Sequence, residues 1–473
     1  MFERYLTESR CTGHDPSQST LTAFITSSTG DTYGKNHPAQ TKFSESLLYN
    51  LIVACGLPLS IVEQSAFRTF VNDVNPKLSI PSRQHLTYKM LPQLVEKTRI
   101  ALKRTLDSAK HVALTVDIWT DRSAHSFLAI TAHTFVMFKP LSSLLTITSF
   151  TGSHTGARIA EEIDRAITDN NLEGKISYIV TDNASNMKRA MEVLKDMQDD
   201  NVDTVADEGT LDDETFWEDI QGQDAVDVQH TIDKQCSVRL ACFAHSLQLV
   251  IKDGLEKLTA VGVRGMMAKC SKLCSLVHQS AIFHEAFERQ FGTGRSLPKP
   301  NDTRWNSTFR HLLSIANLDQ VALASLLREQ NQIHLTLTAK EFAILQELVD
   351  ILQPFMEATD LTQGDQYPTI GCVVPSVVAL DGCLVEMMSK AIHHTALVRV
   401  LHESLRSRFS GLFQRLKIIA ITDGESVAKQ FGDTIYPLAS LVDPSYGLLW
   451  MEDYPGTAES KQLLKDEIIG MLR

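Results

Sequence analysis

The chain has 473 residues, more than one ordinary domain holds, so two or three domains are expected. Its hydrophobic content of 43% suits a globular protein. No uncharged apolar run of about 18 residues stands out, so no membrane span and no membrane partner are expected. The net charge of −12 argues at first against nucleic acid.

The distribution of that charge reverses the argument. Residues 196–227 hold thirteen acidic side chains and no Lys or Arg, which leaves the rest of the chain at +1. Like charges in such a block repel one another, so residues 196–235 are expected to form an acidic disordered loop. A solvated insertion and a regulatory mimic of nucleic acid are both compatible with it. The first residues, MFERYLTESRCTGHDP, contain no apolar core of a secretory signal. Eight cysteines at irregular spacing read as reduced thiols of a cytosolic or nuclear protein.

In chain order, residues 1–43 are polar, rich in Ser, Thr and Gly, and read as a disordered tail or linker. Residues 44–107 read as a small helical module. Its first helix begins at Ser44, and Ser60 with Glu63 forms a capping box that opens a second. Leu86, Met90, Leu94, Leu102 and Leu106 mark one face of a long helix, leaving Lys89, Lys97, Arg99, Lys103 and Arg104 off that stripe. Packing and DNA contact are equally good readings of this basic helix.

The rhythm changes at residue 108. Apolar β-rich runs at 112–118, 126–137 and 144–150 precede a helix at 156–169 and a strand at 176–181. The order is β-β-β-α-β, an α/β plan whose crossover brings the fourth strand parallel to the first. Asp117 ends HVALTVD and Asp182 ends ISYIVTD, so the two carboxylates converge at neighbouring strand ends. A helix is expected at 184–197 and a short strand near 238–242. Residues 244–473 then read as helical, an insertion or second domain after a core spanning 108–243.

Two aspartates at neighbouring strand ends suit Mg²⁺ or Mn²⁺, which prefer oxygen ligands and in pairs activate water at a phosphodiester. A third carboxylate is needed, and spacing places none of Glu161, Glu162 or Glu192 there. The plain alternative for Asp182 is a helix N-cap, and Asp121 and Asp164 read as solvent-exposed. Cys242-Phe-Ala-His245, with Cys236 upstream and Cys270 and Cys274 later, has zinc-binding residue types in an irregular pattern. Zinc is therefore not expected within this chain, and a buried Cys beside a hydrogen-bonded His is the better reading. Asp302-Thr303-Arg304-Trp305 precedes a helix, where Arg304 suits a phosphate and Trp305 either a base or the core.

The ordered set TVDIWTD, VTDNASNM, LACFAHSLQLVIKDGL, DTRWNSTF and LASLVDPSY resembles the hAT family of DNA transposases, and within it the domesticated zinc-finger BED domain-containing proteins. The resemblance runs from about residue 44 to 446. It implies an RNase H-like core interrupted by a large all-α insertion and preceded by a helical DNA-binding-like module. Asp117 and Asp182 match the first two acids of the Asp-Asp-Glu triad, so Mg²⁺ or Mn²⁺ is expected only in a competent enzyme. Cys242 and His245 match the Cys-x-x-His element. Arg304 and Trp305 match the Arg-Trp element associated with flipped bases. No Ser-Glu-x-x-Phe-Ser segment precedes Arg473, and Cys11 and His14 lack the partners of a BED finger. The third acid and the dimerisation segment of the family plan are thus not found, and homodimerisation is expected only of a fuller form. The expected function is a nuclear, DNA-associated protein without transposition activity, possible in transcription regulation. The alternatives are an active transposase and an interaction scaffold that lost DNA binding.

Overall fold

The computed structural model describes residues 32–121, 123, 125–149, 156–182, 238–256, 261–299, 305–362, 364, 367–420 and 430–472. The acidic segment, the helix expected at 184–197, Glu192, Cys236, Asp302 and Arg304 lie outside them. The chain divides into two compact units, Met1–Thr105 and Leu106–Arg473.

In the first unit, helix α1 (Pro38–Ser46) begins six residues before the Ser44 cap expected from the sequence. His37 is the cap: its Nδ1 accepts from Ala39 N at 3.2 Å, and Pro38 sits at the first helical position. Gln40 ties α1 to the loop at Ser79 by donating to its carbonyl at 2.7 Å and accepting from its N–H at 2.8 Å. Residues 33–43 therefore belong to the module and not to a disordered tail. The chain continues as a π-helical segment, Leu47–Val53. The Ser60–Glu63 capping box does not form. Leu59–Glu63 is a 3₁₀ turn that ends where Gln64 takes extended angles, and helix α2 (Ser65–Val74) starts after it. The long helix is composite, with a π-helical turn at Leu86–Met90 leading into α3 (Leu91–Ser108). Leu47, Leu48, Ile52, Val62 and Leu86 form the module's small core.

The second unit opens with strands β1 (Val112–Thr120), β2 (Ser126–Val136) and β3 (Lys139–Ser149). Helix α4 (Gly156–Asp169) then leads to β4 (Ile176–Thr181), and β5 is Val238–Ala241. The spatial order is β3-β2-β1-β4-β5. β1, β2 and β3 pair antiparallel, while β4 runs parallel to β1 and β5 parallel to β4. Alternate residues Val112, Leu114 and Val116 of β1 and Leu128, Ile130 and Ala132 of β2 are buried, as is the stripe Ile159, Ala160, Ile163, Ala166 and Ile167 of α4. This is an RNase H-like α/β core.

A large helical block follows β5: α5 (Phe243–Glu256), α6 (Val261–Gln279), α7 (Ala281–Phe291), α8 (Trp305–Ala316), α9 (Gln320–Glu329) and α10 (Ala339–Thr362). It continues through α11 (Val373–Lys390), α12 (Thr395–Arg408), α13 (Ser410–Arg415), α14 (Ile435–Val442) and α15 (Ala458–Gly470). These helices share one core with Phe287, Phe309, Phe355, Phe409 and Phe413 fully buried, and Tyr178 and Val180 of β4 pack against it. Ile370–Lys390 is long and apolar enough to cross a membrane by length and composition, but 56% of its apolar window is buried inside the protein. Val373, Val374, Val377, Val378, Leu380 and Leu384 supply its contribution to the core.

Candidate functional site

β1 and β4 pair in register through Val116 and Thr181. The next residue after each is an aspartate: Asp117 lies inside β1, which continues to Thr120 instead of ending there, and Asp182 directly follows β4, on parallel neighbours spaced about 4.8 Å. Burial raises the Asp117 carboxyl above its ordinary range, and the Asp182 charge adds to the rise. The Ile118 backbone N–H and His245 act against it. His245 is in the first turn of α5, so the Cys-x-x-His element and the two aspartates belong to one electrostatic neighbourhood.

The junction between β5 and α5 explains how they meet. Cys242 N donates to Thr181 O at 2.8 Å, which carries the parallel pairing one residue beyond β5. Its carbonyl then accepts Ser246 N at 3.0 Å and Ser246 Oγ at 2.9 Å, closing the first turn of the helix. Burial pushes the Cys242 thiol up, and Asp117 and Asp182 add to the shift against the helix N–H groups of His245 and Ala244. Both effects favour the protonated thiol.

Sequence reasoning missed Arg239. Its Nε donates to Thr181 Oγ1 at 2.8 Å and its Nη2 to the main-chain carbonyl of Asp182. Thr181 Oγ1 donates to that same carbonyl at 2.8 Å. Burial lowers the Arg239 pKa, while the Asp182 and Tyr436 charges act the other way. Tyr436, from α14, is itself buried, and its hydroxyl has no hydrogen-bond partner among the described residues. The late helical segment thus covers the buried face of the β4 end. The one signal in the sequence was a charged residue inside the apolar run VRLA.

The other motif residues are dispersed. Asp121 closes the β1–β2 turn, with Oδ1 accepting from Ser123 N at 2.8 Å and His125 N at 2.9 Å. Glu162 pairs with Arg165 at 2.9 Å on α4. Trp305 starts α8 and lines an apolar cavity of about 300 Å³ with Leu255, Val263, Met267, Phe309 and Leu312, and with Arg264 at its edge. On α3, Arg99 and Arg104 are exposed, Lys97 lies 4.0 Å from Glu45, and Lys103 is half-buried. Cys270 and Cys274 are buried in α6, and burial raises the Cys270 thiol to about 12. Cys274 Sγ donates to Pro298 O at 3.5 Å, and His278 and His311 bind the Leu297 and Pro298 carbonyls at 2.7 and 3.1 Å. Together they fix the segment leading into the Arg-Trp motif.

Part of the long motif around Cys242 is architectural. A Cβ on Gly254 would stand 2.5 Å from Leu401 Cδ2, so glycine permits the close crossing of α5 and α12. Asp253 beside it accepts from Arg408 Nη2 at 2.9 Å. Asp443 of the last motif accepts from Ser445 N at 2.9 Å and packs where a Cβ on Gly371 would lie 2.6 Å from it.

Two neighbouring carboxylates fit the oxygen preference of Mg²⁺ or Mn²⁺ but supply only part of an octahedral set. Among the described residues, no group of three or more His, Cys, Asp or Glu side chains is placed to hold a metal ion.

A sheet of this order, with one acid inside β1, another directly after β4 and a helical block after β5, defines an RNase H-like protein. Comparison narrows the class. Residues 115–210 match the ZBED1 RNase-like domain and residues 240–351 the ZBED1 RNase-like helical domain. A Zea mays protein named AC transposase is 25% identical over 334 residues, covering 68% of this chain and 37% of that protein. Human zinc finger BED domain-containing protein 6 is 24% identical over 469 residues, 91% of this chain and 40% of its own length. A Talaromyces stipitatus protein named as a transcriptional regulator, tpeD, is 23% identical over 366 residues, 72% of this chain and 40% of that protein. Both family-model matches and these relatives support a hAT-family transposase-derived protein. It spans about two fifths of the length of these curated relatives.

Proposed function

We propose that the chain acts as a nuclear, DNA-associated protein in transcription regulation, and that its transposase site is inherited and no longer working. The observation that carries this reading is the pair Asp117 and Asp182. Fold and register keep them adjacent, and among the described residues no third His, Cys, Asp or Glu joins them in a metal-holding group. Names among the relatives support the regulatory part, since they include a transcriptional regulator as well as transposases. DNA contact is assigned to Lys97, Arg99, Lys103 and Arg104 of α3, and to Arg304 and Trp305 ahead of and at the start of α8. If the site were competent, Asp117 and Asp182 would hold Mg²⁺ or Mn²⁺, which would activate water and stabilise the leaving oxygen.

The test is retention of a linear DNA duplex across a salt series. Binding that weakens steeply with salt, by about 0.9 log unit per log unit for each phosphate contact, is the expected result. A chain that ignores duplex DNA even at low salt would be a scaffold that lost DNA binding, and this reading would fall.

A further inference from the structure

β2 and β3 pair from Phe127 with Ser149 to Val136 with Lys139, leaving Met137 and Phe138 as a two-residue turn. Both take left-handed backbone angles, with φ of 48° and 63°. Such a turn suits the twist of a hairpin, and Asn-Gly or Asp-Gly supplies it with least strain. An unbranched Met and an aromatic Phe are poor choices for that backbone. Nor do they gain from packing, since Met137 is 90% and Phe138 99% exposed. Phe135, two residues earlier, is 61% exposed. The turn therefore carries these residues against its own backbone preference and without packing within the fold.

The surroundings define what they meet. Lys139 follows Phe138 directly. Lys110 precedes His111, whose carbonyl accepts Thr134 Oγ1 at 2.9 Å, so it stands at the same end of the sheet. Both lysines are exposed, and neither has an acidic partner among the described residues. A stable protein interface needs about 800 Å² per partner around an apolar centre. This tip offers a narrow pair of side chains bordered by lysine, Pro140 and the exposed Ser142. One or two apolar side chains flanked by cations are what a stacked base step accepts, with phosphates beside it.

We propose that Met137 and Phe138 form an apolar wedge that inserts between base pairs of bound duplex DNA and partly unstacks them. The wedge rests on the DNA-associated reading above. It is tested with the full chain and a duplex carrying 2-aminopurine at alternate adenines, whose fluorescence rises on unstacking. The variant replaces Met137→Asn and Phe138→Gly together, which gives the turn its preferred residues. Its Tm is expected to equal or exceed the parent's, so lost binding would not reflect lost folding. The parent should raise the fluorescence, and the variant should not, with duplex affinity about tenfold weaker and the salt slope unchanged. Equal fluorescence and affinity in parent and variant would overturn the wedge alone, as would parental binding with no rise in fluorescence. No duplex binding by the parent would overturn the DNA reading and the wedge with it.

Discussion

Asp117 carries a pH signature that separates a strained carboxylate from an ordinary surface one. Its folded pKa is raised from 3.8 by burial and by Asp182. A carboxyl with a raised folded pKa binds its proton more tightly in the folded chain than in the unfolded one, so its contribution to stability falls as pH rises through that interval. At neutral pH Asp117 therefore opposes folding, as functional carboxylates often do. Asp117→Asn should raise Tm at pH 7, and the gain should vanish as pH falls below about 4, where Asp itself is protonated. A Tm difference independent of pH would remove the electrostatic explanation. Arg239 marks the limit of reading one residue at a time. Its grip on Thr181 and Asp182 comes from strand pairing across more than fifty positions, which no local pattern reveals.

At the scale of elements, Gly254 is the sharpest case. Adding a methyl group there drives it into Leu401 and Leu397 at the crossing of α5 and α12. Gly254→Ala should cost about 1–3 kcal/mol in denaturant unfolding, the usual penalty for overpacking. A neutral or stabilising result would mean the crossing has slack. Periodicity made the helix at 156–169 and the strand at 176–181 legible at their observed bounds, because both are amphipathic or apolar over their full length. It also made the convergence of Asp117 and Asp182 legible, since a crossover allows one handedness. The start of α1 was not, because its cap is a histidine and its anchor is Gln40 to Ser79, a contact 39 residues apart. The Ser60–Glu63 pattern misled because Gln64 turns the chain out of the helix before a second turn can form. Neither π-helical segment has a signature in residue spacing.

For the whole molecule, two compact units divide the tasks proposed for them. The basic side chains of α3 are expected to set the electrostatic component of DNA binding, and the RNase H-like unit the site geometry. Replacing Lys97, Arg99, Lys103 and Arg104 with Ala should flatten the salt dependence by up to about 0.9 for each phosphate contact removed. An unchanged slope would move DNA contact away from α3. The inherited nature of the aspartate site is tested most directly by incubating the intact chain with a labelled duplex and Mn²⁺ at low salt. We expect the duplex to be retained and to remain unbroken. Nicking that depends on Mn²⁺ and disappears in both Asp117→Ala and Asp182→Ala would contradict this and establish a working transposase site.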